Sequence, residues 1–140
     1  MLTVKQIEEV KNRQNYSQWL VDVFKHLETN NSDLLNYIQN HRDNIRGPEK
    51  VDPEFIIRTV GPESEMLNHE SIENFQSITN KIVITEFMAN QVVLLCEKFK
   101  GKYYILDGNH TFEALKKFDL PFVNVIYTED KVIYDLLHRS

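Results

Sequence analysis

Asp107, Gly108, Asn109 and His110 stand in one run, followed at once by Thr111 and then by the Glu113-Ala114-Leu115 stretch. Each residue type has a use at a phosphate or a proton. A carboxylate such as Asp107 binds magnesium or orients a phosphoryl acceptor. The imidazole of His110 titrates near neutral pH, so it can touch a phosphate or pass a proton. Gly108 lets the chain turn sharply and leaves room for a ligand. Asn109 and Thr111 can donate side-chain hydrogen bonds to a phosphate, and can equally satisfy the open N–H groups of their own helix. A plain turn explains Asp107-Gly108 as well, because Asp before Gly is common in turns.

The elements around this run decide between those readings. An apolar segment at 103–106 ends in the turn, and a helical pattern starts directly after it, over 110–118. A helix start offers free N–H groups and partial positive charge, which suits an anion. Lys116 and Lys117 close the helix on its negative end, and Leu120-Pro121 stops it. Residues 92–96 and 103–106 read as a hairpin around Gly101, and 122–127 read as a strand. Strand, helix and strand in succession predict a parallel pair of strands joined by a right-handed crossover. Further back, 55–60 is strand-like. A helix bearing Ile72, Phe75, Ile78 and Ile82 follows, with Asn68 as its cap.

Before Pro48 the chain reads as helical. Thr3 and Gln6 resemble a capping box, and Trp19, Leu20, Val23, Phe24 and Leu27 form an apolar stripe. A second helix carries Leu34, Leu35, Ile38 and Ile45 and stops at Gly47-Pro48. A short last helix is predicted over 131–138. The expected architecture is α+β: a small mixed β-sheet with packed helices over 51–140, preceded by an N-terminal helical segment over 1–50.

The chain has 140 residues and a net charge of -5, which speaks against the extended basic footprint of a nucleic-acid binder. Its single cysteine, Cys96, lies in an apolar run, reads as a buried thiol and rules out an internal disulfide. That predicts a cytoplasmic setting, and no apolar stretch reaches membrane-span length. Scattered histidines without paired cysteines give no zinc pattern. The lysines at 98, 100 and 102 flank a hairpin loop and read as a solvated tip.

From Phe55 to Tyr127 the sequence resembles the ParB/sulfiredoxin superfamily. The resemblance rests on Asp107-Gly108-Asn109-His110 with Glu113-Ala114-Leu115, on the Leu120-Pro121-Phe122-Val123 entry to the closing strand, and on the order of elements. It implies a nucleotide (ATP, ADP or CTP) whose phosphates rest on Gly108, Asn109, His110 and Thr111, with Mg2+ on Asp107. By the resemblance to free-serine kinases, Glu70 would act on the substrate hydroxyl, so Glu70, Asp107 and His110 form the catalytic set. Glu70 can also be read as a helix-dipole partner in a first turn.

Two residues depart from the family pattern, and one segment has no counterpart in it. Thr111 replaces the Arg that usually follows the His, and Arg58 or a hairpin lysine is left to fill that place. Asn109 stands where sulfiredoxins carry their reactive cysteine. The residues before Pro48 match no part of the family. Two functions follow as expectations. One is a nucleotide-dependent phosphotransferase or NTPase with a small-molecule acceptor. The other is an inactive ParB-like binding module contacting a protein or DNA partner. In both, the N-terminal helices mediate assembly into a homo-oligomer or contact a protein. Nuclease chemistry is the weakest option, because two-metal nucleases gather several carboxylates.

Overall fold

The computed structural model describes residues 2–5, 45–62, 64 and 69–129. The helices expected over 6–44, the cap at Asn68 and the last helix over 131–138 lie outside the described residues. In chain order the elements are β1 (Leu2–Thr3), β2 (Arg46–Val51), a 3-10 turn (Pro53–Phe55), β3 (Ile56–Ile57), α1 (Ile72–Asn80), α2 (Glu86–Ala89), β4 (Val92–Phe99), β5 (Lys102–Asp107), α3 (Asn109–Leu115), a second 3-10 turn (Lys116–Phe118) and β6 (Val123–Thr128).

The strands form one mixed sheet in the order β2-β6-β4-β5-β3, with β1 beside β4. The class is α+β. β4 takes the middle because it is apolar on both faces, from Val92 through Cys96. The hairpin pairs β5 antiparallel along one edge of β4, and β6 runs parallel along the other. Where β5 has left that first edge, β1 takes its place, pairing Leu2 with Val93 and Thr3 with Val92.

This arrangement corrects the expected parallel pair across the helix. β5 and β6 are separated by β4 and run in opposite directions. Chain neighbours are the default strand partners, but a strand as apolar as β4 is most stable with both edges covered. The parallel pairs are β4 with β6, and β3 with β5.

Other expectations change as well. Residues 46–51 form an edge strand on β6 where Gly47-Pro48 was read as a helix stop. Proline is tolerated on an edge strand, and the register slips between Arg46 and Glu49. An added Cβ on Gly47 would stand 2.6 Å from the Val125 carbonyl oxygen, so the glycine serves close approach to β6. Thr3, read as a helix cap, lies at the end of β1, and the chain turns helical directly after it at Val4 and Lys5. The strand expected over 55–60 is confined to Ile56–Ile57, after the 3-10 turn.

α1 is capped by Ser71, whose hydroxyl accepts from the Asn74 N–H at 3.1 Å. Its inward face is Phe75 with Thr79, one turn apart, while Ile72 is exposed and Ile82 lies beyond the helix. α2, capped by Thr85, was not expected. Phe112, Ala114 and Leu115 of α3 pack with Leu94, Cys96, Ile105, Val123 and Val125 into the main core. The opposite face of the sheet is buried too, at Val93, Leu95, Glu97, Asn124, Ile126 and Thr128. No helix among the described residues is long and apolar enough to cross a membrane.

Candidate functional site

The corner between β5 and α3 is built by a change of register. Ile105 faces Cys96 and Asp107 faces Leu95, so Leu106 is an extra residue that bends the strand end. Asp107 is the last strand residue. Gly108 follows with φ of 114°, a region that side chains rarely enter. α3 then begins without a side-chain cap, unlike α1 and α2.

Asn109 is buried, and its amide is committed to the segment that follows β3. Its Oδ1 accepts from the Thr59 N–H at 2.7 Å and from the Val60 N–H at 3.3 Å. Its Nδ2 donates to the Thr59 hydroxyl at 3.2 Å. That hydroxyl donates in turn to the Ile105 carbonyl. Asn109 is therefore a latch that ties the exit of β3 to β5 and α3. Thr111 is half-buried and makes no side-chain hydrogen bond to a described residue.

His110 points the other way, towards α1. Its ring packs on Phe75 with centroids 4.5 Å apart. Nδ1 lies 3.4 Å from the Thr79 hydroxyl, and Nε2 lies 3.6 Å from Oε1 of Glu70. Both partners are about one-fifth exposed, at 22% and 23% of their side chains. Oε2 of Glu70 is buried and finds no hydrogen-bond partner among the described residues. The structure thus brings Glu70 and His110 together across 40 positions of sequence, and adds Thr79 to them. Nothing in the sequence marked Thr79 beyond its spacing of four from Phe75.

Arg58 stands on the same aromatic ring. Its guanidinium lies 4.3 Å from the Phe75 centroid, and Nη1 donates to Oε2 of Glu113 at 2.8 Å. Lys116 reaches the same oxygen at 3.1 Å. Gly61 closes over this pair. An added Cβ there would meet Phe75 at 3.0 Å and the Arg58 guanidinium carbon at 3.4 Å. The hairpin lysines are at the opposite end of β5, and Lys98 rests over Tyr103 and Tyr127. Of the two stand-ins considered for the missing arginine, Arg58 alone is beside the corner.

Asp107 makes no hydrogen bond or ion pair with a described residue. Burial pushes its carboxyl above the usual carboxylate range. Such a group binds its proton more tightly in the folded chain than in the unfolded one. Stability therefore falls as pH rises from the ordinary value through the raised one, and stays lower above it. Asp107→Asn should accordingly be more stable than the wild type at neutral pH, and the two should converge at about pH 3, where both states are protonated. Paired thermal melts at the two pH values test this. Equal midpoints at neutral pH would show that burial does not penalise the carboxylate.

Burial pushes the Cys96 thiol up, with the nearby Asp107 charge adding to the effect. It is an inert core thiol. A cleft of about 130 Å³ lies on the other flank of α3, lined by Pro53, Phe112, Leu115, Lys116, Asp119, Leu120 and Val123. It does not include Asp107, Gly108, Asn109, His110 or Glu70. Among the described residues no group of three or more His, Cys, Asp or Glu is gathered to hold a metal. Mg2+ asks less of a protein: one or two carboxylates, with phosphate oxygens and water completing its shell. Asp107 offers that donor chemistry.

Taken together, the corner offers one desolvated carboxyl, one carboxylate–imidazole pair and one arginine held at a shared phenylalanine. No protein-family model, curated protein or solved structure matches the chain.

Proposed function

We propose that this chain is a nucleotide-binding domain of ParB/sulfiredoxin-like architecture that transfers or hydrolyses a terminal phosphate with magnesium. The observation that carries the reading is the meeting of Glu70 with His110 at 3.6 Å. Both were nominated through the family resemblance, and a general base held by an imidazole is what a hydroxyl acceptor needs. Apart from the extra helix α2, the order β3, α1, β4, β5, α3, β6 follows the order of elements in the resemblance.

In this reading the polyphosphate of ATP, ADP or CTP lies against Gly108, His110 and Thr111, where α3 has no side-chain cap. Arg58 supplies the positive charge that Thr111 lacks. Glu70 takes the proton of the attacking hydroxyl, or of water, and His110 holds its carboxylate in place. Mg2+, when bound at Asp107, neutralises phosphate charge. The acceptor is a small molecule, and any homo-oligomer or protein contact would run through the N-terminal residues. A cytoplasmic setting and the absence of a membrane partner belong to the same proposal.

A second reading, a binding module without catalysis that contacts a protein or a DNA partner, is favoured by one observation. The Asn109 amide and the Arg58 guanidinium both have protein partners already. Nucleotide-induced stabilisation separates the readings. A ligand at a hundred times its dissociation constant should add about 2.7 kcal/mol to the unfolding free energy. We expect such a shift with at least one of ATP, ADP and CTP, enhanced by magnesium and lost in His110→Ala. Stabilisation without turnover would support the module. A melting curve indifferent to every nucleotide would remove both nucleotide readings.

A further inference from the structure

The Glu113 carboxylate has an unusual position in the cluster. A single oxygen, Oε2, accepts from Arg58 at 2.8 Å and from Lys116 at 3.1 Å. The two cations differ in setting. Arg58 is 12% exposed and packed on Phe75 beside His110, whereas Lys116 is 53% exposed and lies just past the end of α3, at the start of the second 3-10 turn. Glu113 itself is 28% exposed.

Pulling a cation away from a partly buried carboxylate normally strands the carboxylate, which is costly. Here the second cation remains on the same oxygen and travels with the same helix. Arg58 can therefore leave Glu113 with much of that cost removed. The nearest place for its charge to go is the His110 side of Phe75, where the proposed phosphates lie.

We infer that Glu113 is a built-in competitor of the bound phosphate. It holds Arg58 while the site is empty and releases it to the ligand, and Lys116 keeps Glu113 neutralised afterwards. The inference rests on the nucleotide reading above and adds a regulatory role for Glu113 and Lys116. Neither residue touches the ligand in it, so both are positioning residues.

Glu113→Gln keeps the side-chain shape and removes the charge, so the ligand no longer competes for Arg58. Lys116→Met leaves Glu113 with Arg58 alone and tightens their pairing. Each effect should be about threefold in affinity. The two substitutions should change affinity with opposite signs, and Lys117→Met, which removes an equal charge one residue on, should leave it near the wild-type value and so separates the role from plain Coulomb attraction.

The test is calorimetric titration of the full chain with MgATP and, in parallel, with inorganic tripolyphosphate, using wild type and these variants. Circular dichroism confirms that each variant is folded. The expected result is tighter binding to Glu113→Gln, weaker binding to Lys116→Met and near wild-type binding to Lys117→Met, with both phosphate ligands. Binding by Glu113→Gln alone would also support the competitor role. Wild-type binding that is unchanged or weakened in Glu113→Gln, or weakened equally in Lys117→Met and Lys116→Met, would overturn it and leave the nucleotide reading standing. If Glu113→Gln fails to fold, unchanged or tighter binding to Lys116→Met overturns it. No binding by any of these proteins would overturn the inference and the nucleotide reading together.

Discussion

Gly108→Ala should lower the unfolding free energy by about 3 kcal/mol, through two separate causes. The residue sits at φ of 114°, and a side chain forced into left-handed backbone costs about 1–2 kcal/mol. The added Cβ would also stand 2.7 Å from Cδ2 of Leu94, which is 1% exposed in the core. Overpacking at a buried contact typically costs about 1–3 kcal/mol. Gly101→Ala is the control, because its φ is 77° and a Cβ there meets nothing within 4 Å. It should show the backbone cost alone. Urea denaturation of the two variants reads the difference. Equal losses would mean that Leu94 moves aside freely and that the corner is softer than its packing implies.

Asn109→Ala should cost a similar amount, about 3 kcal/mol, for a different reason. It leaves the buried Thr59 N–H and the part-buried Val60 N–H without their shared acceptor. A buried donor without a partner costs about 1–3 kcal/mol, and the Thr59 hydroxyl loses a donor as well. Asn109→Asp keeps the acceptor but puts a charge in a buried place and an oxygen where Nδ2 donates to Thr59, so it should recover only part of the loss. The same pair of variants separates latch from ligand. If Asn109 served mainly a phosphate, alanine would leave stability unchanged and lower only affinity. Chemical denaturation without nucleotide, followed by titration with it, distinguishes the two outcomes.

Much of the corner was legible because its signals are local. Asp107-Gly108 marks the turn, and the apolar phase changes from strand to helix across it. The start of α3, the 3-10 turn that follows it from Lys116, and the hairpin at Lys100-Gly101 follow from rules that act over a few residues. The long-range contacts were not legible. No short-range pattern sends the Asn109 amide to Thr59, Glu113 to Arg58, or His110 to Thr79. The same applies to the sheet. The pairing of β4 with β6, and of β2 with β6, is decided by which strand most needs covering, and that depends on the whole chain. Glu70 was nominated from a family resemblance, and the distance to His110 is what gives that nomination a chemical form.

The position of β4 has a consequence for how the molecule is made. Its edges are shared among β1, β5 and β6, which come from the first residues, the middle and the far end of the described chain. A ribosome emits these in order, so β4 emerges with β1 waiting, gains β5 within a few residues, and lacks β6 until Thr128 has left the exit tunnel. In that interval the Val93–Glu97 edge of a very apolar strand is open to any other nascent chain. The time for which that edge stays uncovered therefore bears on yield, and prolonging it should favour insoluble product over native fold.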